Sequence, residues 1–522
     1  MPTHLKALVV VLMVALPALW ALQRVAVPTL MPKSDFVLNR NLWIGITLAG
    51  FLSHNVWIFY LLTGVALVWA TWRSEQRLAT YLFVLFAMPG FAAQTPGFGV
   101  LQHVLTLTYP RILSLCVLLP AFLAIAAQRN RPRFGTALAD KLLIGHLALQ
   151  IIFNVLLNSF TGTMRETVYL FIDIFLPYYV ASRGIRTMNG WRQAVSALAI
   201  GLLVMAPLAV FEAVRGWLLY EDLAGVIGAE TSSLGGVFIN RGDALRAVLT
   251  GGHAIALGFS MMIAVFACAF VARYVRHRGI RAFGAVVILA GLVAPLSRGP
   301  WVGAMAGALL LLLTSRHVGA SIGKTLAVLA VSVPVALMTS WGQEATEYLP
   351  FVGSVDAGTV TYRQRLVEVS LQVLSQNPFF GVYDYMFDPR MEEMRQGQGI
   401  IDMVNTYLGV AMASGIVGLV LFTGASVAGL GAAFVRWRQV RHEVGELDWL
   451  GRILMAAQCS VLVCIATVSP IERVPLLYWL ITGLTVGYAR LVESRTASAA
   501  GSLTPRYAVQ RSAASKLDRH FV

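Results

Sequence analysis

Residues 5–22 read LKALVVVLMVALPALWAL, a run whose one charge is Lys6. At 1.5 Å per residue, about 20 such residues span the roughly 30 Å hydrocarbon core of a bilayer. Runs of this kind recur along a chain of 522 residues that is 57% apolar and only 12% charged, with mean hydropathy +0.72. Water-soluble domains do not show that balance. The runs are continuous rather than alternating, which argues against an outer-membrane barrel and for helices that satisfy their own backbone groups. The fold class expected is all-α, a polytopic transmembrane helix bundle of about 12–14 spans. No small-residue cleavage site follows the first run ahead of a soluble domain, so it reads as a retained span.

The apolar runs place spans near residues 5–23, 52–71, 78–95, 108–127, 142–159, 168–182, 193–215, 251–272, 281–296, 299–315, 324–341, 404–434, 449–467 and 471–490. Between them, TWRSEQR, RNRPRFGTALADK, SRGIRTMNGWR, RYVRHRGIR, TSRHVGASIGK and RWRQVRHEVGELDWLGR are short and basic and fall on alternate sides, as cytoplasmic loops do. On that reading both termini are cytoplasmic, and two longer hydrophilic segments, 216–250 and 342–403, face outside. The net charge of +15 then records topology, so no nucleic-acid partner is expected. The polar, basic tail from residue 491 reads as a disordered extension beside anionic lipid.

Cys116, Cys268, Cys459 and Cys464 fall within apolar runs, where a thiol behaves as a small hydrophobe; neither a disulfide nor a metal site is expected. The chain lacks a phosphate-binding glycine loop with Lys and Ser/Thr, HExxH and GxSxG. Soluble nucleotide chemistry is disfavoured, and no cofactor is called for.

One segment of the second hydrophilic stretch is unlike a plain loop. In VTYRQRLVEVSLQVLSQNPFFG (360–381), Leu366, Val369, Val373 and Leu374 recur at helical spacing, with Arg365, Glu368, Gln372 and Gln376 on a more polar face. That pattern describes an amphipathic helix at the membrane surface, ended by Asn377-Pro378.

Three groups of outward arginines accompany it. Arg241 and Arg246 precede a span opening with Gly251, Gly252 and His253; Arg298 lies at the hairpin PLSRGPWVGA; Arg363 and Arg365 sit on the amphipathic segment. A charge at membrane depth costs about 2.5–3.5 kcal/mol on insertion scales, so it is retained for a partner or a function. Asp173 is the clearest intramembrane acid, too few to balance these arginines, and the planar guanidinium fork suits phosphate oxygens. An anionic ligand would make up the difference. Asp402, Asn405 and Tyr407 open the span after the long loop. Asp402 is also an ordinary residue for a helix start, and His253 an ordinary hydrogen-bonded histidine.

Taken in order, RAVLTGGHAIALGF, LSRGPWVGA, YRQRLVEVSLQVLSQNPFFGVY and VNTYLGVAMASGIVGL resemble the O-antigen ligase and O-antigen polymerase (Wzy-like) superfamily of bacterial envelope glycosyltransferases. The resemblance runs from Arg246 to Leu419 and divides the chain into N-terminal helices with a first external loop (1–245), a ligase/polymerase-like membrane region (246–490) with external loop 342–403, and the tail (491–522). It implies an inner-membrane enzyme whose substrate is an oligosaccharide on a polyprenyl diphosphate, transferred without a metal at the periplasmic face. By motif position Arg246 and Arg363 resemble the diphosphate-binding arginines, with Arg365 an alternative register and Arg298 a further candidate; His253, Asn405 and Tyr407 would support them. Family ligases carry His-Asn where this chain has Val404-Asn405, and valine cannot take a proton. Asp402 and Glu368 are the candidate bases in its place. The loss favours a polymerase of repeat units in exopolysaccharide or O-antigen synthesis over a ligase acting on lipid A core; a lipid-linked oligosaccharide flippase is the reading from another class. Membrane lipid, chain-length regulators and export proteins are the partners such an enzyme would meet.

Overall fold

The computed structural model of the chain describes residues 1–27, 29–97, 103–128, 133–230, 240–242, 244–339, 357–396, 399–443 and 445–517. It is an all-α polytopic bundle. Its helices are α1 (Thr3–Ala26), α2 (Lys33–Leu52), α3 (Val56–Arg73), α4 (Arg77–Val84), α5 (Tyr109–Ala126), α6 (Leu138–Leu157), α7 (160–183), α8 (Met188–Arg215), α9 (Ala254–Ala272), α10 (Arg278–Val293), α11 (Arg298–Leu313), α12 (Val318–Leu337), α13 (Ala357–Leu374), α14 (Thr406–Val440), α15 (Glu446–Cys464) and α16 (Val474–Leu517). Among the described residues, nine helices are long and apolar enough to cross a membrane, and α11 is a shorter apolar helix. The β structure is two hairpins, Ala92–Pro96 with His103–Thr108 and Asn240–Arg241 with Ala244–Leu245.

The helices α8, α9, α15 and the first part of α16 form the centre, where Trp191, Trp479, Tyr478 and Tyr488 are buried. α1 and α6 lie at the periphery and leave Met13, Trp20, Val155 and Leu156 exposed, as lipid-facing side chains are.

The basic segments meet at one end. Asp140, fully buried, accepts from Arg183 at 2.6 Å, Arg490 at 2.7 Å and Tyr178 at 2.8 Å. Arg192 pairs with Glu446, and Arg316 donates to the Arg441 carbonyl at 3.0 Å. This joins loops that were expected on a common face.

α2 departs from the expected spans. It runs beside α4, with Phe36 edge-on to Phe83 at 5.9 Å, and at its far end Phe51 meets Tyr220 at 5.5 Å. Asp35, Asn39, Arg40 and Asn41 in its first turns hid it from hydropathy; Asp35 and Asn39 are buried, and Arg40 donates to Gln23 at 3.0 Å. α2 runs antiparallel to α1, with His4 at the start of α1 packed against His54 just past the end of α2 at 5.7 Å. The Thr3 end of α1 therefore lies at the end of the bundle opposite the basic loops. Residues 78–95 are also not one continuous span, since α4 ends at Val84, the chain turns and bends over 85–88, and strand follows Pro89-Gly90. The last helix continues to Leu517 through most of the stretch expected to be disordered; Ala-rich sequence there favours helix. Of the expected loops, residues 231–239, 340–356 and 397–398 lie outside the described residues, as do 518–522 of the tail.

Candidate functional site

The site is built at the end opposite the basic loops, beginning with Glu212 on the last turn of α8. Its carboxylate accepts three backbone N–H bonds, from Leu219 at 2.8 Å and from Val248 and Leu249 at 2.9 Å each. Both ends of the segment 216–250 are thereby tied to one side chain. Gly216, at φ 62°, supplies the left-handed turn that lets the chain leave α8.

That tie brings two arginines onto the α10–α11 hairpin. Arg246, buried, donates from Nε to the Pro295 carbonyl at 3.1 Å, and Arg241 donates to the next carbonyl, Leu296. The hairpin turns at Leu296 (φ 47°), Trp301 returns to the Leu292 carbonyl at 2.9 Å, and Arg298 opens α11.

The connection between α15 and α16 is the hub of the site. Thr406 bonds the carbonyls of Ile465 at 2.9 Å and Val468 at 2.7 Å, Ser469 donates to Asp402 Oδ1 at 2.5 Å, and Arg363 donates to the Thr467 carbonyl at 3.4 Å. Gly299 packs so closely on Thr467 and Val468 that a Cβ would meet Thr467 Oγ1 at 2.6 Å. Arg473, fully buried, donates to the carbonyls of Thr250 and Met88.

α13 roofs this end. Leu366, Val369 and Val373 are buried in a satellite core with Tyr385, Met391, Met394, Met403, Val404 and Met412. The roof is fastened through NPFFG (377–381). α14 breaks at Gly415 (φ 64°, ψ −169°), and the freed groups are taken up by that turn: Val382 N–H donates to Met412 O at 2.7 Å, Ile416 N–H to Pro378 O at 2.9 Å and Val417 N–H to Phe379 O at 3.2 Å. Gly381 (φ 75°) lies so close that a Cβ there would meet Gly415 N at 2.6 Å.

Arg363 and Arg241 share this space. Burial, then the Arg241 guanidinium, pull the pKa of the Arg363 guanidinium below its ordinary value, and Asp402 acts the other way; the side chain stays charged. Arg363 Nε is buried with no partner among the described residues. His253 caps α9 by accepting from Ile255 N–H at 3.1 Å; burial and then Arg246 pull its imidazole down to about 4, so it is neutral near pH 7.

The structure thus brings together Arg246, Arg363, Asp402 and His253, with Arg298 on the hairpin that holds Arg246. It does not bring Arg365 and Glu368 to them. These two are exposed and pair with each other at 3.0 Å, and Arg365 also pairs with Glu393 at 2.9 Å, on the side of α13 turned away from its buried face. Asn405 is the α14 N-cap, accepting from Leu408 N–H at 3.2 Å, and Tyr407 donates to the Leu462 carbonyl at 2.7 Å; both hold the helix in place. Asp173 is bound by Arg111 at 2.8 Å and takes no part here. Sequence reading passed over Glu212, Ser469, Glu472 and Arg473. A charged Glu-Arg step between two apolar runs was the available signal for the last pair.

Residues 283–423 match the family model for O-antigen ligase. The matched stretch holds most of the α10–α11 hairpin with Arg298, the roof helix with Arg363, the NPFFG clasp and Asp402, while Arg241, Arg246 and His253 precede it. That match, which covers under a third of the chain, supports a glycosyl-transfer-like role of O-antigen ligase type for this multi-pass membrane protein. No curated protein matches the chain.

Proposed function

We propose that the chain is an inner-membrane polymerase of polyprenyl-diphosphate-linked oligosaccharide repeat units, acting at the periplasmic face in O-antigen or exopolysaccharide assembly. The observation that carries this reading is that Arg241 and Arg363, from distant segments, meet at one site: Arg241 bonds the Leu296 carbonyl on the hairpin, Gly299 of that hairpin packs on Thr467, and Arg363 bonds the Thr467 carbonyl, where the Arg241 charge opposes that of Arg363 and Asp402 offsets it. Holding two guanidiniums together opposes their charges, and a doubly charged diphosphate relieves that opposition while using their paired donors. Arg246 and Arg298 flank the same space.

In the transfer, an acceptor hydroxyl attacks the anomeric carbon, the bond from that carbon to the diphosphate oxygen breaks, and its electron pair leaves with the diphosphate. Fixed guanidiniums aimed at the departing group stabilise that charge without reorganising. Val404, sunk in the roof core, has no proton-accepting atom, which favours the polymerase over the ligase branch of the resemblance.

The test is deletion of the gene and rescue with wild type or Arg363→Ala at equal membrane abundance, followed by analysis of lipid-linked and polymeric glycan. The expected result is loss of polymer and accumulation of single lipid-linked repeat units reachable from outside. Polymer that forms but is not joined to lipid A would make the protein a ligase, and units trapped inside would make it a flippase.

A further inference from the structure

Four non-glycine residues among those described have left-handed backbone, and three of them lie at this site: Leu249 (φ 45°), Leu296 (φ 47°) and Glu472 (φ 49°). Branched and long side chains adopt that region rarely, and its use clusters where surrounding structure enforces a functional placement. Leu249 presents its N–H to Glu212, and Leu296 presents its carbonyl to Arg241. For Glu472 the placement delivers the side chain itself. A Cβ on Gly252 would meet its Cδ at 2.9 Å, and one on Gly90 would meet its Oε2 at 3.4 Å. Two glycines therefore make room for one carboxylate, against Gly252 and so one residue along the chain from His253, whose imidazole is kept neutral by burial and Arg246.

From this placement, and resting on the glycosyl-transfer reading above, we infer that Glu472 is the carboxylate that accepts the proton of the attacking acceptor hydroxyl. It lies on the hub between the Arg246–His253 side and the Asp402–Ser469 side. It is partly accessible, whereas Ser469 and Arg473 on the same connection are buried. Asp402 plays a different part. Its Oδ1 takes the Ser469 hydroxyl and its charge faces Arg363, so it steadies the donor-binding arginine. As the acceptor oxygen bonds to the anomeric carbon and the diphosphate leaves with the electron pair, the hydroxyl proton passes to Glu472. The resulting carboxylic acid then returns the proton to water.

The test uses the full chain in liposomes, as wild type, Glu472→Gln, Glu472→Asp and Arg363→Ala, with a synthetic polyprenyl-diphosphate oligosaccharide as donor and a repeat-unit oligosaccharide as acceptor. Donor binding and transfer rate are measured across pH. Glu472→Gln is expected to bind donor within about twofold of wild type, to transfer at least about 100-fold more slowly, and to lose the acid limb of the rate profile; Glu472→Asp keeps that limb. Arg363→Ala is expected to lose donor binding instead. The assignment is overturned if Glu472→Gln transfers at the wild-type rate with its acid limb intact, or if Gln and Asp variants both lose donor binding. Wild type that neither binds nor transfers the donor would sink the glycosyl-transfer reading itself, and the assignment with it.

Discussion

Replacing Gly415 by alanine attacks the clasp between roof and bundle at its least tolerant atom. The backbone there (φ 64°, ψ −169°) is nearly closed to any residue with a side chain, and the new Cβ would fall on the Phe379 carbonyl group. A non-glycine residue in such a conformation costs about 1–3 kcal/mol. Relief comes by straightening α14, so that Ile416 N–H returns to Met412 O within the helix and the turn 377–381 is expelled. The three clasp hydrogen bonds are given up on undocking in wild type and variant alike, so the substitution favours the undocked roof by the added strain alone, about 1–3 kcal/mol. Since about 1.4 kcal/mol is a factor of ten, hydrogen exchange at the Val382 amide is expected to quicken by roughly five- to 150-fold. The central spans should keep their protection, because α8, α9 and α15 do not depend on the clasp. Wild-type exchange at Val382 in a folded Gly415→Ala protein would refute the reasoning.

The exposed ion pair on α13 should matter little. Arg365→Ala or Glu368→Gln is expected to leave the melting temperature nearly unchanged and glycan assembly intact in the rescue assay, in contrast to Arg363→Ala. Acid sensitivity should trace in part to His253, whose imidazole falls from 6.5 to about 4 in the folded protein. Between those values the unfolded chain binds the extra proton, so this contribution to stability is lost as pH drops from 6.5 to 4. His253→Asn keeps a capping oxygen and should flatten the fall in melting temperature over that window; equal slopes would count against it.

The bundle was legible because continuous apolar runs leave a helix little alternative. The roof helix was legible for the same reason in miniature, with Leu366, Val369 and Val373 at helical spacing and now buried. α2 was not, since Asp35, Asn39 and Arg40 depress its hydropathy although Asp35 and Asn39 are buried in the bundle and Arg40 donates to Gln23 of α1, placements that no single-segment hydropathy contains. The arginines stood out by the cost of their depth, but the choice between Arg363 and Arg365 was hidden. Residues two apart on a helix point about 200° apart, so only the packing of α13 tells which one turns inward. The hub at 465–473 was nearly invisible because it works through the main-chain carbonyls of Ile465, Thr467 and Val468, and carbonyls have no one-letter code.

The clasp has a further consequence for how such a roof can be altered. All its bonds are made by main-chain atoms, so its grip is indifferent to the side chains carried at 379, 380, 416 and 417. Phe379 and Phe380 stand 64% and 51% exposed. The rings at these positions could be exchanged for others, retuning what the rim of the roof touches, while the fastening beneath stays as it is.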